Sequence, residues 1–223
     1  MINLNDYRQN IYHRFGLREC PHYGEDGVIL KIFDAIGVKK KTLIIEFGEN
    51  RSLGTTTRSF RIKYASRAVY FASGLTAESK VLNVIDIFKV AAKLFNLKTL
   101  KFFFSMPFDF HVTPNNILSL FSKLNISSID ILTIDIDSYD YHIAKKILLG
   151  GYRPRLIILE YNPSLPLQSR LSIPFPPKNK FGEGNKRVYG ARYGAINDLM
   201  TKHEYKLIHV SGFCNLFYIE NRF

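Results

Sequence analysis

The sequence predicts an α/β fold: a mainly parallel sheet with helices on both faces and an antiparallel hairpin at its C-terminal end. Three observations carry this. Short, nearly continuous apolar stretches, Leu43-Ile-Ile-Glu-Phe-Gly48, Asp130-Ile-Leu-Thr-Ile-Asp-Ile-Asp137 and Arg155-Leu-Ile-Ile-Leu-Glu-Tyr-Asn162, read as strands buried on both faces of a parallel sheet. Stretches with apolar residues at helical spacing lie between such runs. Two β-prone segments, Lys206 to Val210 and Phe213 to Glu220, flank a Ser211-Gly212 turn and read as a hairpin.

Residues 1–22 read as an N-terminal extension ahead of a single domain over 23–223, because regular periodicity begins only at Tyr23. Gly24-Glu-Asp-Gly27 precedes Val28, Ile29, Ile32, Phe33 and Ile36, an apolar helical stripe, and Gly37 stands where that helix would stop. The strand from Leu43 runs into Gly48 and a Ser/Thr/Gly-rich loop to Thr57. Ala68 to Ala72 reads as a second strand and Leu100 to Phe104 as a third, with helical periodicity over Ala77 to Leu97 between them. Thr113 as N-cap, with Pro114 in the first helical position, predicts a helix through Leu124. From Pro163 to Gly190 five prolines and several basic residues interrupt any period, so a lid insertion is expected over 163–190. Ala191 to His203 is helical in pattern and leads into the hairpin.

The chemistry concentrates where two apolar strands end. Asp135 and Asp137 close one, Glu160 and Asn162 the other, and the carboxyl ends of strands in an open α/β sheet are where ligands bind. Alternate strand residues share a face, so each pair is expected to point together. Hard oxygen donors of this kind suit Mg²⁺ or another divalent cation; the same residues also serve as helix caps or lysine partners. Asp140 reads either as a general base or as the favourable charge at a helix N-terminus. His142, five residues beyond Asp137, reads either as a proton acceptor or as a structural side chain.

Seven short words, in order, carry a family resemblance: Tyr23-Gly-Glu-Asp-Gly27, Ile45-Glu-Phe-Gly48, Thr113-Pro-Asn-Asn-Ile117, Ile134-Asp-Ile-Asp-Ser-Tyr-Asp-Tyr141, Pro154-Arg155 with Glu160-Tyr-Asn-Pro163, Tyr189-Gly-Ala191 and Asn215-Leu-Phe-Tyr218. Together they resemble the FkbM-type, S-adenosylmethionine-dependent methyltransferases over nearly all of the chain beyond Cys20. The resemblance implies a Rossmann-like class I methyltransferase sheet and O-methylation of a hydroxyl on a sugar, glycan or small metabolite. It implies S-adenosylmethionine near Glu46, Gly48, Glu49, Ser73 and Asp135. The acidic cluster is similar to the divalent-metal site of catechol-type O-methyltransferases, with Asp135, Asp137, Glu160 and Asn162 as ligands and Asp137, Asp140 and His142 as catalytic candidates.

Glu49-Asn50-Arg51 stands where relatives carry small residues, and Ser73 where they carry an acid. A catalytically inactive or repurposed module of the same fold, binding a polyanion or a protein, is therefore the alternative expectation. A net charge of +12 adds an anionic substrate or nucleic acid, including RNA methylation, to the candidate partners. Cys20 and Cys214 have neither metal-ligand spacing nor a disulfide framework, which fits a reducing, cytoplasmic setting. Met1 to Gln9 lacks the apolar core of a signal peptide, and no apolar run reaches membrane-spanning length, so no membrane span is expected.

Overall fold

The computed structural model describes residues 25–48, 56–64, 66–72, 108–137, 139–164, 166, 169–175, 190–211 and 214–223. The extension over 1–22, Glu49, Ser73, the strand expected over Leu100 to Phe104, the helical stretch from Ala77 to Leu97 and most of the insertion after Phe175, Tyr189 included, lie outside the described residues. The protein is α/β, and its strands pair mostly in parallel. The described residues fall into two compact units, one ending at Phe110 and the other running from His111 to Phe223.

In the first unit, helix α1 (Glu25–Ile36) buries Val28, Ile29, Ile32 and Phe33, the stripe its spacing predicts. Gly37 ends it at φ +79°, donating to the Phe33 carbonyl at 2.9 Å, a left-handed stop that costs glycine little. Strand β1 (Leu43–Phe47) then enters the sheet, and helix α2 (Arg58–Tyr64) packs Phe60 edge-on against Phe33 at 4.8 Å. Strand β2 (Arg67–Ala72) lies parallel to β1, with Phe47 and Phe71 stacked at 5.2 Å. A two-residue strand, β3 (Phe108–Asp109), extends the parallel pairing beyond β2.

In the second unit, helix α3 (Ile117–Lys123) starts later than the Thr113-Pro114 signal predicts. The reason is local: Asn116 Oδ1 accepts the Thr113 amide at 2.8 Å while its Nδ2 donates to the His111 carbonyl at 2.9 Å, so Asn116 folds the entry into a turn of its own. Strand β4 (Ile131–Ile134), helix α4 (Asp140–Leu149) and strand β5 (Leu156–Glu160) form a parallel strand–helix–strand unit. Every residue of β4 and β5 is buried, and each Ile or Leu removed from water there contributes about 1.5–3 kcal/mol. Helix α5 (Tyr193–Lys202) leads to strands β6 (Tyr205–Ser211) and β7 (Asn215–Glu220). The hairpin has the expected antiparallel sense, and β7 sits between β5 and β6, running against both. Tyr218 on β7 donates to Asn197 of α5 at 3.3 Å, fixing that helix on the sheet.

Candidate metal centre

Two buried strands deliver the acidic side chains. β4 stops at Ile134, and the chain turns at Asp137, whose φ of +57° is a left-handed conformation that aspartate tolerates better than most residues. The turn is held from the helix side: Asp140, in the first turn of α4 and 1% exposed, accepts the Ile136 amide at 2.8 Å. One β4–β5 register step beyond Ile134↔Leu159, Glu160 ends β5, 8% exposed. One carboxylate oxygen from each of Asp135, Asp137 and Glu160 lies within 4.8 Å of the others, with Asp135 and Asp137 exposed and Glu160 buried.

The electrostatics follow from that arrangement. Burial first, then the Asp135, Asp140 and Asp137 carboxylates, push Glu160 up to about 9, and its carboxyl hydrogen-bonds Asp135. At neutral pH Glu160 therefore carries a proton and donates it towards Asp135. A divalent cation among the three oxygens would relieve the same repulsion that this proton relieves. Hard donors at this spacing fit Mg²⁺, Mn²⁺ or Ca²⁺.

Asp135 and Asp137 converge on Glu160 through the turn at Asp137, since the strand has ended before either of them. Asn162, 1% exposed, has its own commitments: its Oδ1 accepts the Ser164 amide at 2.9 Å and Arg192 Nη1 at 3.1 Å, and its carbonyl accepts the same nitrogen at 2.6 Å. Its amide donates to the Ala191 carbonyl at 2.8 Å. Asn162 thus builds a turn and seats a buried guanidinium. Asp140 is engaged by Ile136, and His142 Nε2 donates to the Ile173 carbonyl at 2.6 Å. Of the three catalytic candidates, Asp137 presents an exposed carboxylate.

Glu46 and Gly48 lie in the first unit. Glu46 is 1% exposed, with Oε1 accepting the Thr56 amide at 2.9 Å and Oε2 the Thr57 hydroxyl at 2.7 Å, so it ties the return of the loop after β1 to the strand's end. Gly48 has φ +97° and donates to the Phe71 carbonyl at 2.9 Å, a conformation for which the absence of Cβ matters. Tyr161 is half-buried, and its amide donates to the Cys214 carbonyl at 2.7 Å.

A strap that the side-chain pattern does not signal pairs residues 171–173 with residues 190–192. Ser172 bridges Ala191 in antiparallel fashion, Ile173 donates to Gly190 at 3.1 Å, and Arg192 donates to Leu171 at 2.8 Å. It meets the start of α4: Phe175 lies edge to face with Tyr139 at 5.2 Å and tilted to His142 at 5.9 Å. The pairing runs between backbone groups far apart in sequence, so only the apolar residues flanking Pro174 hint at an anchor. Arg192 is the other participant the sequence did not announce. No family model matches the chain, and comparison with curated proteins finds no match.

Proposed function

We propose that the protein is an S-adenosylmethionine-dependent O-methyltransferase that works on a hydroxyl beside a divalent cation at the strand tips. The observation that carries this reading is the convergence of Asp135, Asp137 and Glu160 within 4.8 Å where two parallel strands end. The reversed β7 between β5 and β6 supports a class I arrangement. Gly48 at the tip of β1, at φ +97°, supports a close backbone approach to a cofactor.

When bound, S-adenosylmethionine supplies a sulfonium methyl group, and the cation supplies positive charge beside the acceptor oxygen. The chain's own residues do the rest. Asp135, Asp137 and Glu160 would hold the cation. Asp137, exposed, takes up the acceptor's proton. Asp140 fixes the loop that carries Asp135 and Asp137 by holding the Ile136 amide, and the buried β4 and β5 keep the donors in place, since positioning supplies much of the rate in a displacement of this kind.

The test is methyl transfer from labelled S-adenosylmethionine to an acceptor panel, with and without EDTA, beside calorimetry with S-adenosylhomocysteine. Chelator-sensitive transfer and product-cofactor binding are expected; no binding at millimolar ligand would remove the reading. A second reading, a non-catalytic binding module of the same fold, draws on Glu46, both of whose carboxylate oxygens are taken by Thr56 and Thr57. Methyl transfer to any acceptor would end it.

A further inference from the structure

We propose that the edge of the second unit away from the acidic cluster docks on the surface of an anionic lipid bilayer, with Leu149 entering the headgroup layer and Lys145, Lys146, Arg153, Lys202 and Lys206 meeting the phosphates around it. The proposal depends on neither the metal centre nor methyl transfer.

Helix α4 and strand β5 fix where that edge lies. α4 begins at Asp140, and its 10 residues carry the chain about 15 Å to Leu149; β5 then starts at Leu156 and returns to Glu160. The buried side of α4 holds Ile143, Ala144, Ile147 and Leu148. Lys145, Lys146 and Leu149 are exposed on its other side, and Leu149 stands one turn beyond both lysines, on their face. At 64% exposed, Leu149 is the most open large apolar side chain among the described residues. Arg153 follows, donating from Nη1 to the Leu148 carbonyl at 2.8 Å. Burial, and then the charges of Arg153 and Lys202, hold the His203 imidazole below its ordinary value, so the last turn of α5 brings Lys202 to the same edge. Burial and Glu220 push the Tyr205 hydroxyl up while Arg153 and Arg222 pull it the other way, which places both guanidiniums around the start of β6. Next to Tyr205, Lys206 donates to the Phe223 carbonyl at 3.2 Å, and the Phe223 ring, 36% exposed, lies against the Arg155 and Arg222 guanidiniums at 4.7 and 5.1 Å.

Two of the acids at this edge are already engaged: Glu220 pairs with Arg222 at 2.7 Å, and the buried Asp130 faces Arg155 at 3.8 Å. Glu204 is exposed among the cations and does not offset them. Cations in a last turn complement a helix dipole, which accounts for Lys146 and Lys202 without any partner. The dipole gives no account of an open leucine set among them. A nucleic-acid backbone would use the cations and leave Leu149 in water. A bilayer surface uses both, because lysine stems lie along the apolar boundary with their ammonium groups at the phosphates while an apolar side chain between them leaves water.

The experiment floats the full chain with vesicles of phosphatidylcholine alone, or with about a third of that lipid replaced by phosphatidylserine. Binding to the anionic vesicles only is expected, and it should fade as salt shortens the screening length from about 10 Å at 0.1 M to about 3 Å at 1 M. Leu149→Ser, which leaves the charge unchanged, should weaken binding by about threefold or more. Lys145→Glu combined with Lys146→Glu should weaken it by about tenfold or more, since each cation near such a surface contributes about fivefold. Lys31→Glu combined with Arg170→Glu removes the same charge from other exposed positions and should cost less than about threefold. Equal losses in the two pairs would trace binding to total charge and overturn the docking surface, as would full binding by Leu149→Ser. Absence of flotation with the anionic vesicles overturns it outright. If single-stranded RNA is then retained by the wild type and released by the Lys145 and Lys146 variant, the same cations serve a nucleic acid and the lipid surface is replaced.

Discussion

Glu160, at the end of β5, hydrogen-bonds Asp135, just past the end of β4, so a buried and an exposed carboxyl group meet at the tips of neighbouring strands, and the buried one keeps its proton at neutral pH. That contact makes the stability of the fold depend on pH in an unusual direction for a carboxylate. The folded value of about 9 stands above the ordinary 4.5, so the folded state holds the proton more tightly than the unfolded one. Its stabilising contribution is complete below about pH 4.5 and is lost as pH rises through about 9, at no more than roughly 1.4 kcal/mol per pH unit. Thermal melts from pH 5 to 9 in EDTA should therefore show a decline that Glu160→Gln flattens. A decline of equal slope in the variant would place its origin elsewhere.

Asp137→Asn separates metal binding from packing. Asparagine accepts the left-handed φ of +57° as readily as aspartate, so the turn survives. Removing a negative charge from the cluster relieves repulsion, and the melting temperature should hold or rise slightly. Mn²⁺ affinity and metal-dependent methyl transfer should fall at least tenfold. A loss of about 0.5–2 kcal/mol in stability, with wild-type activity indifferent to chelator, would instead mark Asp137 as a cap or an ion-pair partner.

Asp140 should behave as a strut. Asp140→Ala removes the acceptor of the half-buried Ile136 amide and a favourable charge from the start of α4, at a cost of about 1–3 kcal/mol by chemical denaturation. Asp140→Asn keeps an acceptor for that amide and should recover most of the loss. If Asp140 were the general base, the asparagine variant would be stable and inactive.

For Asn162, geometry predicts a structural penalty without a metal phenotype. Asn162→Ala leaves the Ser164 amide without its acceptor and removes the 3.1 Å contact of Arg192 to the Asn162 side chain, which should cost about 1–3 kcal/mol. Mn²⁺ titration of the folded variant should match wild type within twofold. A tenfold weaker affinity would restore Asn162 to the ligand set.

The strands were legible because burial on both faces leaves an uninterrupted apolar run: Ile131 to Ile134 and Leu156 to Leu159 admit few other readings. The carboxylates at their ends were legible for the same reason, since a charge that follows such a run must lie at the sheet's edge. What alternation could not supply was the path after the strand. Asp135 and Asp137 were expected to share a strand face, yet they meet Glu160 through a left-handed turn that no side-chain period encodes. The Thr113-Pro114 cap signal was outcompeted by Asn116, whose amide reaches back across the turn with both ends. The strap from Leu171 to Phe175 escaped notice because its partners, Gly190 to Arg192, bond it through backbone groups, and sequence pattern speaks of side chains.

The position of β7 bears on how the second unit is assembled. β7 is translated after β6 yet lies between β6 and β5, so among the described residues β6 has no neighbour in this sheet until Asn215 to Glu220 have emerged and slid into the gap. Until then the edge of β5, apolar along Leu156 to Leu159, keeps a row of unsatisfied backbone groups open to any passing strand. A nascent chain paused at the hairpin turn is thus complete in its acidic cluster but open at its seam, and that interval is when chaperone capture or self-association competes with closure.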